Sequence, residues 1–175
     1  VFQRVRVGPY EIGHEVGRGG MAVVFVATDS RDGRCVALKL VPAATNRDAQ
    51  EVLEAERWGA KLQEQFCRVS QHVPVVYEHG TEGGYFYIAM EYIDGQNLSE
   101  VLTAGALAPG RAVNIAIQLC HFLEAAHGFE STIDGRNLRS LLHGDLKPHN
   151  IRVRWADKVK ILDFGIAKAI SLSRK

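Results

Sequence analysis

An α+β fold is predicted for this chain, with a five-stranded antiparallel sheet and one helix in residues 1–93 and the start of a mainly helical region in residues 94–175. Three observations predict it. Apolar residues alternate, or run in short β-branched blocks, through the first half. One long stretch there repeats its apolar residues at steps of three and four, and a second long apolar stretch follows a glycine-bearing turn just past Ile93.

The elements follow in order. "YEIGHEV" (10–16) alternates, "MAVVFVATD" (21–29) is an apolar β-branched run, "RDG" is a turn, and "CVALKLV" (35–41) alternates again, which gives three antiparallel strands. In "DAQEVLEAERWGAKLQEQF" (48–66), Val52, Ala55, Gly59, Leu62 and Phe66 recur at helical spacing and define one apolar face. "VPVVYEH" (73–79) and "YFYIAMEYI" (85–93), joined through "TEGG", read as a hairpin, and "DGQN" (94–97) reads as a hinge. "PGRAVNIAIQLCHFLEAAH" (109–127) has proline at a helix start and apolar residues on nearly every face, the pattern of a buried helix. "GFESTIDGRNLRS" (128–140) reads as a polar interruption.

A chain of 175 residues with 46% hydrophobic and 23% charged content can bury a core of its own, so disorder is excluded. A net charge of +1 supplies no field for nucleic acid or anionic lipid, and neither is expected as a partner. Lys158 and Lys160 read as a solvated strand face. Cys35, Cys67 and Cys120 are odd in number and widely spaced, which fits reduced thiols in a cytoplasmic protein better than disulfides or zinc. No apolar run approaches the roughly 20 residues of a spanning helix, and Arg4 and Arg6 have no apolar signal core behind them. The chain begins at Val1 rather than methionine, so it reads as part of something longer, such as the cytoplasmic domain of a membrane-anchored protein.

Four motifs carry the chemistry. "GRGGMAVVF" puts Gly17, Arg18, Gly19 and Gly20 between two strands, where backbone N–H groups can close over phosphates; alone, such a turn is more often only a turn. "VALK" places Lys39 in the next strand, in register to reach the same phosphates, although a strand lysine is ordinarily a surface charge. Glu51, Glu54 and Glu56 on the following helix compete to hold it. "HGDLKPHN" (143–150) gathers Asp145, Lys147 and Asn150, and "VKILDFG" ends an apolar strand on Asp163, 18 residues beyond Asp145. A carboxylate with an amide oxygen is a hard-oxygen set suited to phosphate-bound magnesium. Together the glycines cover phosphates, Lys39 neutralises them, Asn150 and Asp163 carry the metal, and Asp145 accepts or orients the attacking hydroxyl.

With "GRGGMAVV", "VALK", "MEYIDGQNL", "HGDLKPHN" and "DFG" in this order, essentially the whole chain resembles the eukaryotic-type protein kinases, and most closely the bacterial serine/threonine kinases. The resemblance implies a two-lobed protein-kinase-like fold, ATP and Mg2+ in the cleft, and a protein serine or threonine as substrate. It implies Val24 and Ala37 above the adenine, Met90 as gatekeeper, hinge backbone at Glu91 and Ile93, and Asn97 in the nucleotide-binding set. Asp145 resembles the catalytic aspartate, Lys147 the lysine on the transferred phosphate, and Asn150 and Asp163 the magnesium ligands. "ERWGAKLQ" is similar to the family's helix and favours Glu56 as the partner of Lys39.

Four departures from the family pattern stand out. Ala22 replaces the third glycine, Gly144 replaces the arginine that pairs with a phosphorylated activation segment, and Arg152 replaces an apolar residue at the adenine floor, where its aliphatic stem can still pack. The chain also stops at Lys175, ten residues past Gly165. The expected function is therefore a catalytic-domain fragment of a serine/threonine kinase. Two alternatives are a nucleotide-binding pseudokinase or interaction module, and an aminoglycoside- or choline-type phosphotransferase. "HGD" followed by leucine suits the latter, but Lys147 and "DFG" argue against it. Ser171 and Ser173 are weighed as autophosphorylation sites, though serine near a chain end is usually polar filler.

Overall fold

The computed structural model describes residues 5–171; Arg4, Ser173 and the side chain of Ser171 lie outside the described residues. The first half is an antiparallel sheet of β1 (Arg6–Val7), β2 (Tyr10–Arg18), β3 (Val23–Asp29), β4 (Cys35–Pro42), β5 (Val76–Glu82) and β6 (Tyr85–Glu91), in the order β1-β2-β3-β4-β6-β5. The sheet thus has six strands where five were expected. The extra one is Arg6–Val7, folded back on Tyr10 and Glu11.

Alternation along β4 sorts the sheet's two faces. Val36, Leu38 and Leu40 enter one apolar cluster with Tyr10, Ala27 and Tyr87. Val41 enters another with Leu53, Ala60, Phe86 and Ile88. Because side chains alternate along a strand, Ala37 and Lys39 share the face of Val41.

That second face carries α1 (Arg47–Phe66), whose N-terminus is capped by Asn46 accepting a 2.8 Å bond from the Ala49 N–H. The single apolar face expected for this helix is only partly correct. Val52 is 39% exposed, whereas Ala49, Leu53, Ala60 and Gln63 are buried with Gly59, Leu62 and Phe66. The cause is that α1 serves two cores. Leu53 and Ala60 pack on the sheet, while Leu62 and Phe66 belong to the core of the second half. At 3.6 residues per turn these two stripes lie roughly two-fifths of a turn apart, and Glu56 falls in the seam between them.

The second half comprises β7 (Gln96–Asn97), α2 (Leu98–Thr103), α3 (Pro109–His127), β8 (Glu130–Ile133), β9 (Arg136–Leu142), β10 (Ile151–Val153), β11 (Val159–Ile161) and β12 (Lys168–Ser171). These strands form two small sheets, β11-β10-β7 and β12-β9-β8. The stretch read as a polar interruption is therefore a hairpin. Its turn is Asp134–Gly135, at φ 50° and 73°, the two left-handed residues a tight hairpin turn needs. Ile133, Leu138 and Leu141 turn inward to the core with Phe66, Phe122 and Phe164. The polar letters of that stretch are its outward face. Among the described residues no helix is long and apolar enough to cross a membrane.

Candidate active site

Cross-strand register sets the upper wall of the site. Gly17 lies opposite Val24, Val24 opposite Lys39 and Lys39 opposite Ile88, so the glycine turn is wired to the lysine by one row of the ladder. Ala37 sits two residues away, between Val26 and Met90. The turn closes on itself through the Gly19 N–H and the Ala22 carbonyl, 2.8 Å apart. Ala22 is buried in the cluster on the α1 face. The Arg18 guanidinium is bonded to Glu15, and Gly20 is exposed. A groove lined by Ile12, Phe25 and Leu40, on the strand face opposite Lys39, runs up to Arg18, Gly19 and Gly20 of the glycine turn.

The competition among the helix glutamates is resolved. Lys39 Nζ lies 2.7 Å from Glu56 Oε1 and 3.0 Å from Asp163 Oδ1. Glu51 and Glu54 are exposed, the first beside Arg47 and the second beside Gln50. Burial works against the charge on Lys39, but the carboxylates of Asp163 and Glu56 outweigh it and hold the ammonium's pKa above its usual value. The same contest runs in reverse at Asp163, where burial would raise the carboxyl and the ammonium of Lys39 keeps it below the ordinary carboxylate range. Asp163 adopts φ 65°, a left-handed conformation uncommon for a residue with a side chain and characteristic of functional sites.

α1 meets the backbone that carries Asp163 at Gly59. A Cβ there would lie 2.1 Å from the Phe164 carbonyl oxygen, so only glycine allows the approach that brings Glu56 to Lys39. Phe164 packs against the His143 ring at 4.8 Å and the Phe66 ring at 6.4 Å.

The lower wall is the loop 143–150. Asp145 Oδ2 accepts from Lys147 Nζ at 2.6 Å and from Asn150 Nδ2 at 2.9 Å, and Asn150 Nδ2 also reaches the Asp145 carbonyl at 2.9 Å. The Lys147 ammonium, followed by the Asn150 amide, keeps the Asp145 carboxyl below its usual range. Both acceptors hold the amino group of Asn150, so its carbonyl oxygen is turned away from the loop. The pairing of β10 with β11, continued by the Leu162 N–H on the Asn150 carbonyl at 2.8 Å, sets Asn150 and Asp163 at neighbouring ends of one hairpin. The contacts of His143 suit its neutral form. Its Nε2 faces the Leu162 carbonyl and must donate, and its Nδ1 faces the Asp145 N–H and must accept. Burial accordingly pushes its pKa down. Gly144 sits at φ 82° with its α-carbon facing the Ile166 carbonyl, a conformation in which an arginine side chain would be strained.

Between the walls runs segment 91–97. Met90 receives the Gln63 amide at its sulfur, Ile93 is buried, and the Glu91 N–H is taken by the Val75 carbonyl at 2.8 Å. Three cations meet this segment: the sequence reading singled out Arg152 without its partners, misread Lys160 and missed Arg154. Lys160 is not on a solvated face but 13% exposed, bonded to Glu91 Oε2 at 2.7 Å and the Val73 carbonyl at 3.0 Å. Arg154 pairs with Asp94 and Glu91, and Arg152 reaches Ile93 and Asn97. Alternation along 151–153 places Arg152 on the face away from the core, but only the fold puts the linker there.

The family model for the protein kinase domain matches residues 10–175. The chain belongs to the protein kinase family. Similar curated kinases include serine/threonine-protein kinase PknD of Mycobacterium tuberculosis, 34% identical over 169 residues that cover 94% of this chain and 23% of that protein. PrkC of Bacillus subtilis is 33% identical over 165 residues, 94% of this chain and 24% of its own length. PknE of Mycobacterium bovis is 37% identical over 166 residues, 93% and 26% respectively. The chain thus spans about a quarter of the length of these relatives. A solved chain titled "PpkA-294 apo form" superposes with a TM-score of 0.74 at 21% identity, covering 94% of this chain and 61% of that one. The likeness shows the two-lobed kinase fold, of which the sheet with α1 is the first lobe and the described part of the helical lobe follows.

Proposed function

We propose that this kinase chain binds ATP between its walls and transfers the terminal phosphoryl group to serine or threonine hydroxyls of a protein. The observation that carries the reading is the pairing of Lys39 with both Glu56 and Asp163, three residues from three distant segments, beside a loop in which Lys147 and Asn150 are both bonded to Asp145. The names of the relatives support the choice of serine or threonine. The division between lobes falls at about residue 93, and the reduced thiols of Cys35, Cys67 and Cys120 suit the cytoplasm, where ATP is found.

Each group then has a task. The backbone of Gly17, Arg18, Gly19 and Gly20 closes over the phosphates, and Lys39, held by Glu56, offsets their charge. Val24 and Ala37 cover the adenine, Met90 bounds its rear, and the Glu91 carbonyl and Ile93 N–H meet its edge, the Glu91 N–H being already engaged. Asn150 offers its side-chain carbonyl oxygen and Asp163 its carboxylate to Mg2+, a hard-oxygen pair that fits the ion. Among the described residues no group of three or more His, Cys, Asp or Glu is placed to hold a metal ion by itself, so the remaining ligands would be phosphate oxygens and water. When bound, the ion neutralises charge developing on the phosphates. Asp145 orients the substrate hydroxyl and takes its proton, and Lys147 balances the transferred group.

The test is thermal melting with and without Mg-ATP. A ligand that binds only the folded state should raise the melting temperature, and Lys39→Met should remove most of the rise. A folded protein whose melting curve ignores millimolar Mg-ATP would defeat the reading.

A further inference from the structure

The floor of the proposed nucleotide cleft carries a cation with two defined jobs. β10 contributes Ile151 and Val153, 4% and 5% exposed, to the second-lobe core, and strand alternation turns Arg152 between them to the other side. The pairing of β10 with β7 sets Arg152 directly opposite Asn97. Arg152 Nε donates to the Ile93 carbonyl at 3.2 Å and Nη1 donates to Asn97 Oδ1 at 3.1 Å. A guanidinium has five N–H donors and no acceptor, so the Asn97 atom that faces it must be the oxygen. The amino group of Asn97 therefore points away from Arg152. The same contact restrains Ile93, whose N–H is the proposed donor to the base.

Two other basic residues of the hairpin hold the same linker differently. Arg154 and Lys160 take the side chains of Asp94 and Glu91, whereas Arg152 takes a backbone carbonyl and a neutral amide. Neither of its acceptors is charged, so its hold is geometric more than Coulombic. A planar guanidinium can keep two such directions at once; a lysine ammonium, a point charge on a flexible stem, cannot.

We propose that Arg152 is a positioning residue for the base-and-sugar end of the nucleotide, presenting the Asn97 amino group as a donor to a ribose hydroxyl and fixing Ile93 against the base. This rests on the ATP-site reading above. Its consequence is selectivity: the kinase distinguishes ATP from an analogue lacking the sugar hydroxyl through an arginine that need not touch the sugar itself.

The experiment is equilibrium binding of Mg-ATP, Mg-2′-deoxyATP and Mg-3′-deoxyATP to the purified protein, with the melting temperature of each variant recorded in parallel. One neutral hydrogen bond to the sugar corresponds to roughly fivefold tighter binding of ATP than of one deoxy analogue. Arg152→Leu and Asn97→Ala should each bring that ratio close to one, and the double variant should lose no more, because the two residues act as a unit. Arg152→Lys should fall between, and Arg154→Ala should keep the ratio of the unaltered protein. An Arg152→Leu protein that retains the full ratio, or that loses affinity for all three nucleotides equally, would reduce Arg152 to a strap between lobes and overturn the inference alone. An unaltered protein that binds none of the three would overturn the site reading itself.

Discussion

The two walls of the cleft are built on different principles. Above, Lys39 is placed by a regular ladder: Gly17, Val24 and Lys39 stand in one cross-strand row, and the strands that carry them are filled on the far face by Leu38, Leu40 and Val36. Below, Asp145, Lys147, Asn150 and Asp163 lie on irregular backbone, held by side-chain bonds to carbonyls and by left-handed residues at 144 and 163. A ladder spreads each position over many equivalent bonds, so the loss of one side chain costs stability and leaves the geometry standing. A loop fixed by a few specific bonds loses its geometry with any one of them.

The largest expected effect lies below. Asp145→Asn should lower protein phosphorylation by roughly 10²–10⁴-fold, the range for a positioned general base, while Mg-ATP affinity stays within a few-fold. Asp163→Asn should lose both, because that carboxylate faces Lys39 and the proposed ion. Turnover and nucleotide titrations of the two variants separate the roles, and equal losses of binding would erase the distinction.

Next in size comes a cut in the upper wall. Leu38 is fully buried, and Leu38→Ala should cost about 2–5 kcal/mol of unfolding free energy. The fraction that remains folded should bind Mg-ATP as before. Urea denaturation paired with nucleotide binding checks this, and a folded variant that had lost binding would show the ladder to be as brittle as the loop.

The smallest effect is a pH dependence seated below. Burial lowers the pKa of His143, so the folded protein favours its neutral form more than the unfolded chain does. That contribution is complete above the unfolded value of about 6.5 and is lost as pH falls below it, at no more than about 1.4 kcal/mol per pH unit for one proton. Melting temperature should therefore fall between pH 7 and pH 5.5, and His143→Gln should flatten the slope. An unchanged slope would place the proton uptake elsewhere.

Much of the candidate site is legible in the sequence. Glycine, lysine, aspartate and asparagine in a fixed order are visible in a string because the proposed phosphate chemistry would dictate those residue types, and the ladder's period of two places Lys39 from its neighbours alone. The helix glutamate was less so. Three candidates share one stretch, and only the seam between two cores, with Gly59 against Phe164, selects Glu56. The hairpin 130–142 left a weak signal, the Asp134–Gly135 pair between Ile133 and Leu138, masked by the outward polar residues.

The sequence by itself determined the fold class and the chemical inventory, since strand period, helix period and the residue types proposed to hold a phosphate-bound metal are all local or type-specific. Tertiary structure decided which residues meet: Lys39 with Asp163 across 124 positions, Arg152 with Asn97 across 55, Lys160 with Glu91 across 69. Those pairings depend on how strands from distant segments register and where a helix crosses between two cores. Such relations are non-local, and a charge on its own strand carries no mark of the partner that will bury it.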